Sequence, residues 1–293
     1  MEISCEPPYG KMGSIDQYGE YFKIMNIVNS IVAPFAVALK HRSLLKGFVI
    51  REIKGRFAGT MGGFVWTFLA PAATIAAYSF VFSVVMRMSV SKEETGTDQF
   101  LIFFLTGYFP WIMFADSLAK SVFVLLNESS LITKVVFPIE LLPISTVIAT
   151  FIINGTGYVI VLIFLLIRGY FHLFWLWIPL LLTIQALFAL GLCFFLSALN
   201  VFFRDTSELL TIVMMLWFFS TPVIYPASMI PEGIKSLFSM NPMLFFIDTF
   251  RSVVLMHKID FSSLTYMFLF AALSFILGAW FFIKSRPAFG DVL

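Results

Sequence analysis

Charge is scarce in this 293-residue chain: Asp, Glu, Lys and Arg together make up 12% of it, against about 25% in an ordinary soluble domain. With 60% apolar residues beside that, a water-soluble globular domain is excluded, and the composition points to a polytopic helical membrane protein. The formal net charge of +2 is too small to suggest nucleic-acid binding, so its meaning lies in where the charges sit. Cysteine is equally sparse. Cys5 stands in a polar leader and Cys193 deep in an apolar run, so neither a disulfide framework nor a thiolate metal site is implied. Residues 1–22 lack the apolar core behind a basic start that marks a secretory signal. They read as a loose cytosolic tail.

Catalytic motifs are missing too. Neither G-x-x-x-x-G-K followed by Ser or Thr, nor H-E-x-x-H, nor a cysteine pair, nor a nucleophile elbow occurs. No catalytic residue, metal ligand or cofactor is therefore assigned to this chain, and any ATP it uses has to be bound, with its Mg, by another chain.

What is present is organised around R-E-I-K-G-R-F-A-G-T-M-G-G-F-V-W-T-F-L-A-P at 51–71. Arg51, Lys54 and Arg56 precede residues 64–86, which carry no charge. About 20 helical residues cross a hydrocarbon core, so this run reads as a transmembrane helix, and its basic flank places the start inside. Further spans are expected at 100–126, 144–167, 173–199, 209–225 and 264–283. The chain thus divides into the tail, an amphipathic interface segment at 23–57 and an all-α domain of six transmembrane helices at 58–293. Both termini fall inside, with thirteen of the nineteen Lys and Arg on that side. Pro110 is expected to kink the second span. The 168–172 turn is too short to let the third and fourth spans be anything but antiparallel neighbours. Residues 226–255 mix Pro231, Glu232, Gly233, Lys235 and Pro242 with apolar pairs. They read as re-entrant helices dipping back from outside, since irregular backbone survives at membrane depth only where protein or a wet cavity surrounds it.

Several pairs follow from helical spacing. Asp116 and Lys120, four apart in the second span, can neutralise each other, and so can Asp248 and Arg251, three apart at the end of the re-entrant stretch. A contact with substrate is the alternative for the latter pair. Asp205 and Glu208 suit a helix N-cap with a reciprocal acid. Residues 127–143, with Asn127, Glu128, Ser129, Lys134 and Phe137, fit a segment that receives force from a partner, Glu128-Ser-Ser reading as a helix start and 134–138 as an amphipathic turn, and a plain interfacial connector fits as well. Aromatic rings are abundant. Most face lipid or neighbouring helices, yet Trp66, Tyr78, Phe109 and Trp111, with Trp217, Phe218, Phe219 and Tyr225, offer flat surfaces on which a sugar could slide.

Three stretches together resemble the membrane subunit of bacterial polysaccharide exporters of the ATP-binding-cassette type: 51–71, A-L-N-V-F-F-R-D-T at 198–206, and T-P-V-I-Y-P at 221–226 with N-P-M-L-F-F-I-D-T-F-R at 241–251. The resemblance covers about 50–285. It implies a homodimer with two copies of a separate ATPase, exporting a lipid-linked glycan such as O-antigen, capsule or teichoic acid across the inner membrane. It also implies an interface helix before Arg51, a coupling helix at 127–137, and an Arg-Asp pair at Arg204 and Asp205. Gate helices are implied at 226–251, with Ile230 among their residues. Gly62-Gly63 departs from the family's usual Leu-Gly. Arg51, Lys54 and Arg56 are then expected to admit the lipid-diphosphate head, or else simply to anchor the topology. Rival functions are export of a drug or small lipid, a membrane-embedded glycan-modifying enzyme, and a passive channel.

Overall fold

The computed structural model describes residues 34–56, 58–135 and 137–293. The expected tail and the first part of the interface segment lie outside the described residues. Residues 34–40 are helical and lead into α1, Arg42–Arg56. The chain then forms α2, Trp66–Ser79, whose last turn widens into the π-helical segment Phe80–Val85. There follow α3, Phe100–Asn127; α4, Ser129–Lys134; α5, Leu141–Ile167; α6, Ile178–Phe202; and α7, Thr206–Ser220. The short α8, Glu232–Phe238, precedes α9, Pro242–Leu255, and α10, Phe261–Ser285. Among the described residues, five helical stretches are long and apolar enough to cross a membrane, and α7 is a shorter apolar helix beside them.

The core lies where α6 packs between α3 and α10 while α3 also packs on α5. Phe114, Phe188 and Phe246 stack in one column, with ring centroids 5.4 and 5.2 Å apart. Without a hydrophobic drive inside lipid, helices associate through close packing and buried polar bonds. Both devices are visible here. A Cβ on Gly278 of α10 would collide with the Gly191 carbonyl of α6. Lone amides do the rest: Gln185 donates to the Pro110 carbonyl at 2.6 Å, and Asn200 to the Val122 carbonyl at 2.8 Å. Cys193 is fully buried, its thiol 3.4 Å from the Ser117 carbonyl.

Three local expectations need correction. The fifth apolar run, 209–225, is helical only to Ser220. Pro222 disfavours helix in the residue before it, and Thr221 is extended. Asp205 precedes α7 but sits in helical geometry and makes no side-chain cap bond, so the expected reciprocal cap with Glu208 is not formed. The third span starts earlier than 144, at Leu141, with Pro143 tolerated in its first turn.

α2 packs only lightly on this core, through Ile75 and Tyr78. It buries only Thr67, whose carbonyl accepts from the Thr156 hydroxyl at 2.9 Å. Gly157 makes that approach possible, because a Cβ there would collide with Phe109 and Pro71.

Candidate functional site

At the end of the molecule that carries α4, α1 packs along α5 and buries Phe48 and Val49. Phe137, just past α4, seats its ring 5.8 Å from Phe48. Arg51 on α1 donates to the Glu128 carboxylate at 2.6 Å. Glu128 occupies the position before α4 without capping it through its side chain. The carboxylate expected to start α4 is therefore engaged with Arg51, and α1 and α4 are tied by one charge-assisted bond.

Beside this bond lies a cavity of about 510 Å³ lined by Arg51, Glu52, Arg56, Lys120, Asn127 and Glu128. A second cavity, about 250 Å³, lies against α2, α3 and α5 and is lined by Arg56, Trp66, Tyr108, Phe109, Asp116 and Asn154. Arg56 belongs to both. Of the three cations expected at an entrance, Lys54 lines neither cavity and Arg51 is spent on Glu128.

The expected Asp116–Lys120 pair is not formed. Asp116 accepts from the Asn154 amide at 2.9 Å and lies 3.8 Å from the Arg56 guanidinium, while Lys120 makes no ion pair among the described residues. The carboxylate has a neutral donor on α5 and a cation from the α1 side within reach, and both compete with the helical neighbour. Asn154 was the missed partner. Its signal was there: a lone amide in an otherwise apolar span has to find a hydrogen bond.

The opposite end is built on Arg251. Its guanidinium donates to the carbonyls of Pro222 at 2.6 Å, Val223 at 2.7 Å and Phe103 at 3.2 Å, and lies 3.6 Å from the centre of the Phe103 ring. No ion pair joins it to Asp248 among the described residues. The Pro222 and Val223 carbonyls, left without helical partners past the end of α7, outcompete the carboxylate three residues away, with the Phe103 carbonyl of α3 as a further acceptor. Gly107 leaves room for the guanidinium, since a Cβ there would lie 2.6 Å from it. Asn241 holds the other side of the same corner. It caps α9 through the Met243 amide at 3.0 Å and accepts from the Trp217 indole at 2.8 Å, and its amide donates to Thr221 at 2.9 Å. Asp248 and Arg251 both line a cavity of about 720 Å³ at this end, with Glu94, Ser228, Lys258 and Asp260.

The expected aromatics separate into groups. Trp66 and Phe109 share the cavity of about 250 Å³ beside α2. Tyr78 packs against Phe82, Phe104 and Tyr108. Trp111 is buried between α3 and α7, with Trp217 and Phe218 at 6.4 and 5.4 Å. Phe219 is exposed, and its carbonyl accepts from the half-buried Tyr225 hydroxyl at 2.8 Å. Ile230 is buried beneath the loop that leads into α8. Ser129 is half-buried, and Asn127, Lys134, Arg204 and Asp205 are exposed on the α4 side and at the start of α7.

No group of three or more His, Cys, Asp or Glu that could hold a metal ion exists among the described residues. Compared with known proteins, the chain matches the ABC-2 type transporter family over residues 43–255. It is 34% identical over 227 residues to the O-antigen export system permease protein RfbA of Myxococcus xanthus, covering 75% of this chain and 83% of that one. An RfbA of the same description from Klebsiella pneumoniae is 28% identical over 245 residues, 83% of this chain and 92% of the relative. The polysialic acid transport protein KpsM of Escherichia coli is 24% identical over 241 residues, 80% and 90% respectively.

Proposed function

The chain belongs to the ABC-2 type transporter membrane family, and from that premise we propose that it is the permease subunit of an exporter carrying a lipid-linked polysaccharide of the O-antigen kind outward across the inner membrane. A separate ATPase supplies the energy and holds the ATP and Mg. The α4 end faces the cytosol with both termini, and 127–137, together with Arg204 and Asp205, is the surface on which that ATPase sits.

One observation carries the reading: Arg51 grips Glu128 at 2.6 Å. A push on α4 is thereby delivered to α1 and to the basic residues at the mouth of the two inner cavities, so ATPase movement and substrate admission share a mechanical link. The working unit is two copies of this chain with two ATPases. In support, α2 buries only Thr67 and α7 only Thr206 and Leu210, leaving two apolar faces for a second copy to cover. The loop 226–231, α8 and α9 form the outer gate, with Ile230 at its hinge and the aromatic rings along the path of the sugar.

Depleting the chain in its own host tests the reading. Lipid-linked glycan should accumulate on the cytosolic side and vanish from the surface, and the full-length chain should purify with an ATPase in a two-to-two complex. Normal surface glycan after complete depletion would overturn it.

A further inference from the structure

Arg56 has a position that the simple picture of a basic entrance does not explain. It is the residue common to the two cavities, its side chain is one-third exposed, and its only ion-pair partner among the described residues is Asp116, at 3.8 Å. That separation exceeds the 2.7–2.9 Å of a formed charge-assisted hydrogen bond, and Arg56 makes no hydrogen bond among the described residues. Its planar fork of donors is thus attracted but not saturated. Arg51 differs, its guanidinium being bonded to Glu128 at 2.6 Å. One helical turn beyond Asp116, Lys120 points into the larger cavity without an ion-pair partner. Asp116 itself is fixed by the Asn154 amide, so the carboxylate stays in place when Arg56 moves.

We propose that Asp116 is an internal stand-in for a phosphate: it holds Arg56 between the cavities while the site is empty, and a phosphate-bearing lipid headgroup entering the larger cavity draws Arg56 away and is clamped between Arg56 and Lys120. The ligand class is a lipid monophosphate or diphosphate, which rests on the reading of this chain as an exporter of a lipid-linked glycan. Arg56 supplies the bidentate contact that suits a tetrahedral oxyanion, and Lys120 a point charge from the facing helix. Asp116 sets the threshold: only an anion stronger than one carboxylate at 3.8 Å can take the guanidinium. Neutral lipids and zwitterions fail that competition, so the carboxylate is a specificity-determining residue and not a ligand of the substrate.

The test uses the full-length chain with its ATPase in phosphatidylcholine nanodiscs, measuring binding of polyprenyl diphosphate against polyprenol, with inorganic diphosphate as competitor. Arg56→Gln and Lys120→Gln should each weaken polyprenyl diphosphate about tenfold, and Asp116→Asn should tighten it about fivefold. Polyprenol should be unaffected by all three substitutions. Inorganic diphosphate should compete only weakly, since it lacks the tail. If inorganic diphosphate binds as tightly as the lipid, the ligand is a soluble anion and the lipid-headgroup assignment is wrong. Should Asp116→Asn weaken binding in step with Arg56→Gln, the carboxylate merely orients the arginine and the stand-in role is overturned. Lys120→Gln keeps the test open if Asp116→Asn fails to fold, because an unchanged affinity there removes the clamp. Wild-type chain that binds no polyprenyl diphosphate sinks the exporter reading as well, whereas wild-type binding with unaltered variants sinks this inference alone.

Discussion

Gly278 of α10 lies so close to the carbonyl of Gly191 on α6 that a methyl group at Gly278 would overlap it, and one at Gly191 would overlap the backbone of Ser274 and Phe275. The two helices therefore meet backbone to backbone, which maximises dispersion contacts where lipid provides no hydrophobic drive. Gly278→Leu should cost about 1–3 kcal/mol or more through overpacking and lower the melting temperature of the detergent-solubilised chain. Gly233→Ala, with open space around it, is the matched control and should leave the melting temperature unchanged.

Replacing Arg251 should separate folding of the membrane helices from closure of the outer end. Arg251→Leu leaves the carbonyls of Pro222 and Val223 without their donor, at about 1–3 kcal/mol for each group that stays buried and unpaired, while the Phe103 carbonyl keeps the Thr106 hydroxyl. Arg251→Lys should not restore function, because a single ammonium cannot span three carbonyls. Both variants should insert normally and lose surface glycan, with faster amide exchange over residues 221–225. Gly107→Val, which displaces the guanidinium without removing it, should give the same pattern.

Acid should loosen the turn between α5 and α6. Burial pushes the His172 imidazole below its ordinary value, more than its bond to the Val254 carbonyl raises it, and the His257 ring lies tilted against it with centroids 3.6 Å apart. The folded state thus favours neutral His172. That contribution is complete above the unfolded value of about 6.5 and is lost progressively as pH falls from there toward the lower folded value. The melting temperature of wild type should drop more between pH 7.5 and pH 5.5 than that of His172→Gln, and an equal drop in both would rule this out.

A second ion pair ties the end of α10 to the residue that precedes α5. Arg286 donates to Glu140 at 2.7 Å, and the Glu140 side chain is 4% exposed with its second oxygen unpaired. Arg286→Gln strands a buried carboxylate and should destabilise the chain more than Glu140→Gln, which leaves a half-exposed arginine free to reach water. In a double-mutant cycle, the pair of substitutions together should cost less than Arg286→Gln alone.

The spans were legible because 64–86, 144–167 and 173–199 carry no charge at all, and length against bilayer thickness leaves little choice of fold. Partners inside those spans were not. Spacing of three or four residues pairs Asp116 with Lys120 and Asp248 with Arg251, but it says nothing of Asn154 on α5 or of the carbonyls at 222 and 223. A long cation reaches across helices, and backbone left bare by a proline is an acceptor that residue types do not announce. Glu128 shows the same limit. The sequence makes it the start of α4, and only the packing of α1 along α5 brings Arg51 to it.

α7 ends at Ser220 after 15 residues. At 1.5 Å per residue it rises about 22 Å, short of the ~30 Å hydrocarbon slab. The shortfall is made up by loop backbone at 222 and 223 whose carbonyls the buried Arg251 satisfies, so this backbone needs no water at that depth. A bilayer meets such a mismatch by thinning locally. The membrane beside this helix should therefore be thinner than the surrounding bilayer, which shortens the distance that an exported chain has to cross.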